Sequence, residues 1–71
     1  MKELTIKQKE IYDIIKKYIE DNGYSPTVRE IAKIADLNSP ATIQQHIKNL
    51  KDKGYINYIE KKSRTIRIIK E

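Results

Sequence analysis

The 71-residue sequence has no cysteine, no tryptophan and no phenylalanine, and only two glycines, two prolines and one histidine. Without cysteine, no disulfide or thiolate metal site can staple the chain, which fits a reducing cytoplasm. The lone histidine, His46, has no partner set from which a metal centre or a nucleophile–base pair would be built. Glycines at 23 and 54 alone rule out a glycine-rich phosphate loop. No apolar run approaches the ~18 residues that span a bilayer, and the start lacks the apolar core of a signal peptide. These deficits lead to a reading with no catalysis, cofactor, metal, membrane role or small-molecule substrate.

What is present is charge. Charged residues make up 35% of the chain and apolar ones 38%, a globular balance. Residues 1–71 are expected to form one domain with a modest core. The net charge of +5 is unevenly placed. Up to residue 38, seven Lys/Arg balance seven Asp/Glu; from Ser39 onward, eight bases face three acids. The whole excess therefore sits in the second half, and a polyanion is the partner it favours, because phosphates release counterions when they meet lysine and arginine.

Local patterns divide the chain into five elements. Thr5-Ile6-Lys7-Gln8 is a capping box opening a first helix. Ile11, Ile14, Ile15, Tyr18 and Ile19 form its buried stripe, and Asn22-Gly23 end it. Pro26 forces the residue before it into extended geometry. Thr27-Val28-Arg29-Glu30 is a second capping box, opening a short helix that carries Val28, Ile31, Ala32 and Ala35. Asp36 to Asn38 turn into a third helix, capped by Ser39 with Pro40 at its first position and ended by Gly54. Residues 55–59 and 65–69 are rich in β-branched and aromatic residues, with the polar stretch 60–64 between them, and read as a hairpin. The fold class is mostly α with a small β part: a three-helix winged helix-turn-helix with a C-terminal two-stranded antiparallel hairpin.

The third helix has two faces. Ile43, Ile47 and Leu50 recur at i, i+4 and i+7 and form an apolar stripe. Ala41, Gln44, Gln45 and Lys48 cluster on the opposite side, small and amide-rich, with no acid before Asp52. Such a face suits the floor of a DNA groove. His46 falls beside the apolar stripe and reads as a packing or capping residue. Acids such as Glu20-Asp21 read as solvated charges at a helix end. Of the five tyrosines, Tyr12 and Tyr18 are at packing positions, while Tyr55 and Tyr58 at the head of the hairpin are open to either packing or contact.

Taken together, Leu4-Thr5 with Gln8, Gly23, Pro26-Thr27, Glu30-Ile31-Ala32, Ser39-Pro40, His46, Leu50, Lys53-Gly54 and Ser63-Arg64 resemble the DNA-binding domain of the bacterial LexA-type repressors. The resemblance runs without a gap from about residue 1 to 69. It implies a winged helix whose third helix lies in the major groove of double-stranded DNA. Members of the family repress DNA-damage (SOS) genes by binding palindromic operators, one half-site per domain. By position, Ser39, Ala41, Thr42, Gln44 and Gln45 would face bases or adjacent phosphates, and Lys53, Ser63 and Arg64 would lie near phosphates. Lys48 follows the reading face, and Lys61 and Lys62 sit at the wing tip, so they join the phosphate set.

The chain departs from the family in identifiable places. Ala41, Gln44 and Gln45 stand where well-known members carry Asn, Glu and Glu. Glutamate accepts from cytosine, whereas glutamine can pair bidentately with adenine, so the operator does not transfer. Asp36 stands where glycine is frequent, and the wing loop has no glycine, which leaves its turn type open. Full-length members also continue into a self-cleaving Ser-Lys domain that carries the main dimer interface. The chain alone is therefore expected to be a monomer, cytoplasmic and associated with the nucleoid. Two other readings are a winged-helix protein-interaction module and a non-specific nucleic-acid binder. The charge asymmetry, and the lack of apolar anchors on the outer side of the third helix, argue against the first.

Overall fold

A computed structural model describes residues 3–37 and 39–69. The chain forms three helices, α1 (Ile6–Asn22), α2 (Val28–Ile34) and α3 (Pro40–Asp52), followed by two short strands, β1 (Ile56–Asn57) and β2 (Arg67–Ile68). This is the three-helix winged helix-turn-helix expected from the sequence.

Both capping boxes form. Thr5 Oγ1 accepts from the Gln8 N–H at 3.1 Å and Gln8 Oε1 accepts from the Thr5 N–H at 3.1 Å. Thr27 and Glu30 repeat the exchange at α2, at 3.2 and 2.8 Å. Each box satisfies two backbone donors that the first helical turn would leave open. Gly23 ends α1 in the left-handed region at φ 79°, where a side chain would be strained.

Helices α2 and α3 end alike. Asp36 N–H bonds to the Lys33 carbonyl and Leu37 N–H to the Ala32 carbonyl; Gly54 N–H bonds to Lys51 and Tyr55 N–H to Leu50. These are the paired bonds of a Schellman ending, with Asp36 (φ 57°) and Gly54 (φ 87°) as the left-handed residues. Asp36 thus does the work of the family's glycine, and it opens the turn between α2 and α3. Asn38, the last residue assigned to that turn, lies outside the described residues.

The core is one cluster: Ile11, Tyr12 and Ile15 from α1, Ile31 and Ala32 from α2, Ile43, Ile47 and Leu50 from α3, and Ile56 and Ile66 from the wing. Of the expected α1 stripe, Ile11 and Ile15 are fully enclosed, while Ile14, Tyr18 and Ile19 are half-buried. Tyr12 is buried and meets Tyr55 edge to face at 5.7 Å between ring centres. Tyr55 is therefore a packing residue. Helix α3 packs on both earlier helices, so its apolar stripe is spent inward and its polar face is left outside.

The strands are shorter than the stretches 55–59 and 65–69 read from composition. The register pairs Ile56 with Ile68 and Asn57 with Arg67, and Ile69 N–H adds a bond to the Tyr55 carbonyl. In the same register the next hydrogen-bonded rung would join Ile59 to Thr65. There the Thr65 hydroxyl replaces its backbone: Oγ1 accepts from the Ile59 N–H at 2.9 Å and lies 3.3 and 3.2 Å from the Ile59 and Lys62 carbonyls. On the outer edge, Ile66 N–H donates to Ser25 Oγ at 3.1 Å instead of to a strand. Side chains finish the sheet that the backbone begins.

Candidate nucleic-acid interface

Ser39 holds the start of α3 by accepting from the Thr42 N–H at 3.4 Å, with the Thr42 hydroxyl 3.2 Å from the same oxygen. From this cap onward, Ser39, Ala41, Thr42, Gln44, Gln45 and Lys48 are all exposed. Thirteen residues make α3 about 20 Å long, and a helix of that kind fits a major groove about 12 Å wide. Gln45 Nε2 donates to Asn49 Oδ1 at 3.1 Å, one turn along the helix, which steadies the amide while leaving Oε1 and a second N–H for a base.

Lys48 Nζ is 3.2 Å from Asp52 on the exposed side of α3. A surface pair at that spacing contributes only about 0.3–0.5 kcal/mol, so the ammonium can exchange its partner for a phosphate at little cost. Lys53 is placed differently. It caps the C-terminal end of α3, and its Nζ donates to the Glu3 carbonyl at 2.8 Å and to Gln8 Oε1. Two of its three donors are thus committed inside the protein, with one remaining for a phosphate.

The wing turns without glycine. Lys62 N–H bonds to the Ile59 carbonyl at 3.2 Å, with Lys61 left-handed at φ 64° in the third position, the pattern of a type II turn. The turn exposes Lys61, Lys62 and Ser63. Arg64, also left-handed at φ 57°, points back toward the helices. Its guanidinium donates to the Ser25 carbonyl and to Glu30 Oε2, both at 3.1 Å, and lies 5.0 Å from the Tyr24 ring centre. Tyr18 completes the group by donating its hydroxyl to Glu30 Oε2 at 3.1 Å. The Thr27 N–H, the Arg64 guanidinium and the Tyr18 hydroxyl hold the Glu30 carboxyl down at about 2.

Between α3 and the wing runs an open cleft of about 570 Å³. It brings together Gln44 and Lys48 of the helix, Lys61, Lys62, Ser63 and Arg64 of the wing, and the segment 26–29 at the start of α2. Ser39, Ala41, Thr42, Gln45 and Lys53 lie outside its lining. Two cleft residues were missing from the sequence-based set. Arg29 is exposed at the start of α2, the helix that in helix-turn-helix proteins crosses the DNA backbone; its place inside a capping box hid it. Tyr58 lines the cleft with Lys51 Nζ 4.5 Å from its ring centre, and burial pushes its hydroxyl up from the ordinary tyrosine value. His46 is half-buried beside the apolar stripe, with Nδ1 enclosed and unbonded among the described residues, so it packs rather than caps.

A two-helix unit, an exposed amide-rich second helix and a basic hairpin across a shared cleft define a winged helix-turn-helix protein. Comparison with known sequences sharpens this class. The sequence pattern described as "LexA DNA binding domain" matches residues 1–65, and the chain belongs to that family. It is 46% identical to the LexA repressor of Staphylococcus epidermidis over 71 residues, which is all of this chain and 34% of that protein. The LexA repressor of Carboxydothermus hydrogenoformans is 41% identical over 68 residues, and the transcription regulator LexA of Synechocystis 38% over 69. The chain spans about a third of the length of these relatives.

Proposed function

We propose that residues 1–71 act as one sequence-specific DNA-binding domain, the operator-binding part of a LexA-type transcriptional repressor of DNA-damage genes. The carrying observation is the shared cleft, which sets the exposed polar face of α3 beside a basic wing. Helix α3 enters the major groove, and Ser39, Ala41, Thr42, Gln44 and Gln45 meet base edges or the phosphates beside them. Lys48, Lys53, Lys61, Lys62 and Ser63 hold the backbone, joined by Arg29 at the start of α2. The non-specific alternative has less support, because α3 offers amides at the groove floor where charge alone would suffice.

Each domain reads one half-site of a palindromic operator, and dimerisation comes from outside these residues. The isolated domain then binds weakly and with a strong salt dependence, since joining two half-sites is what raises effective concentration. Selection of duplexes from a random pool, with the domain fused to a dimeriser, is expected to recover a palindrome. Gln44→Ala and Gln45→Ala should alter which sequence is recovered, whereas Lys62→Ala should weaken all duplexes alike. Recovery of no consensus, with both classes of variant acting identically on every duplex, would overturn specific readout.

A further inference from the structure

We propose that Arg64 is a positioning residue that locks the wing to the helix-turn-helix unit, rather than a contact to the DNA backbone. The inference rests on the DNA-binding reading above and assigns Arg64 a different part in it.

Three sets of contacts carry it. The guanidinium fork spans two acceptors, the Ser25 carbonyl and Glu30 Oε2. Its face lies against Tyr24, which meets Tyr18 edge to face at 5.8 Å. Glu30 is anchored independently by Thr27 N–H and the Tyr18 hydroxyl. A carboxylate so fixed makes the wing's attachment point rigid, and a forked donor matches it where a point charge does not.

The lock has a second bolt two residues on. Ile66 N–H donates to the buried Ser25 Oγ, on the same connection whose carbonyl Arg64 holds. Arg64 and Ile66 thus bind one residue of the α1–α2 connection from both sides. The consequence is geometric. Lys61, Lys62 and Ser63 are exposed on the turn that precedes the lock, and the carboxylate that receives Arg64 belongs to the first turn of α2. Wing tip and α3 therefore approach a duplex at a fixed angle, with no ordering left to occur on contact. With its fork held by the Ser25 carbonyl and Glu30, Arg64 makes no phosphate contact, half-exposed though its side chain is, and so adds nothing to the salt slope.

The test separates charge from shape. Duplex binding is measured against salt concentration for the wild type, Arg64→Lys, Arg64→Gln, Glu30→Gln and Lys62→Ala, using a duplex recovered by the selection above. Arg64→Lys keeps the charge and Glu30→Gln keeps the capping box, so circular dichroism should show the helices intact. Both should bind about fivefold more weakly with an unchanged salt slope, while Lys62→Ala lowers the slope by about 0.9. In the free proteins, amide exchange at Ile66 should accelerate in both lock variants and stay at the wild-type rate in Lys62→Ala. Wild-type affinity for Arg64→Lys, with Ile66 still protected, would overturn the lock. So would a slope lowered by about one ion in Arg64→Gln. A wild type without salt-dependent binding would instead remove the DNA reading, and the Ile66 exchange would still decide whether the lock exists.

Discussion

Lys53 Nζ donates to the Glu3 carbonyl at 2.8 Å and so joins the end of α3 to the residues just before α1. The same ammonium also bonds to Gln8 Oε1, the oxygen that closes the first capping box. Lys53 therefore holds the start of the first helix, and in the proposed complex its remaining donor would meet a phosphate. Lys53→Met is expected to cost about 1 kcal/mol, since it removes a hydrogen-bonded charge but leaves the aliphatic stem. In a domain this small, that lowers the midpoint of thermal unfolding by roughly 4–8 °C. Binding at a temperature where the variant is folded should also show a salt slope lower by about one ion. An unchanged melting curve would remove the structural part of this account.

Asp36 supplies the second prediction. Its left-handed backbone at φ 57° closes the end of α2, and its negative charge stands at the helix end that favours positive charge. Asp36→Gly should relieve both costs and raise stability by about 0.5–1 kcal/mol, net of the extra freedom glycine gives the unfolded chain. Asp36→Val should do the opposite, because a β-branched residue tolerates that region least. Denaturant titration of the two variants against the wild type reads the difference directly.

Element positions were legible in the sequence because short-range signals dominate here. Thr5-Ile6-Lys7-Gln8, Thr27-Val28-Arg29-Glu30 and Ser39-Pro40 each fix a helix start with chemistry confined to four residues or fewer. The i, i+4, i+7 stripe of Ile43, Ile47 and Leu50 likewise decided which face of α3 stays outside. Long-range use of the same residues was not legible. Gln8 and Glu30 read as capping residues, and both also receive a cation from far along the chain, Lys53 and Arg64 respectively. Strand length escaped for a related reason. Nothing in the composition of 65–69 announces that the Thr65 hydroxyl takes over a rung or that Ser25 supplies the outer edge.

The depressed carboxyl of Glu30 gives the acid limb of the stability curve a specific contributor. Its ordinary value of 4.5 falls to about 2 in the folded chain, held by the Thr27 N–H, Arg64 and Tyr18. The folded state thus binds its proton less readily than the unfolded state between those values. The resulting stabilisation is complete above about 4.5 and is lost as the pH falls through about 2. Glu30→Gln, which cannot titrate, should show a smaller loss of thermal stability between pH 5 and pH 2.5 than the wild type. Parallel losses in the two proteins would show that other carboxylates set this limb.

Thr65 carries the last prediction, because one hydroxyl stands in for a strand rung. Its Oγ1 accepts from the Ile59 N–H and bridges the Ile59 and Lys62 carbonyls, at the base of a turn that already holds Lys61 and Arg64 in left-handed geometry. Non-glycine residues in that region cost about 1–2 kcal/mol each, so the turn persists only while its base is tied. Thr65→Val preserves shape and β-branching but leaves Ile59 N–H without its acceptor. The expected cost is about 1–2 kcal/mol, concentrated in the wing: amides of residues 59–65 should exchange faster while those of α1 remain protected. Duplex binding should weaken by a similar factor for every sequence, since the wing lysines lose their fixed positions while the reading face of α3 is untouched. Serine at the same position keeps the hydroxyl and should restore most of the binding. Failure of Thr65→Ser to exceed Thr65→Val would mean that side-chain bulk, and not the hydroxyl, shapes the wing.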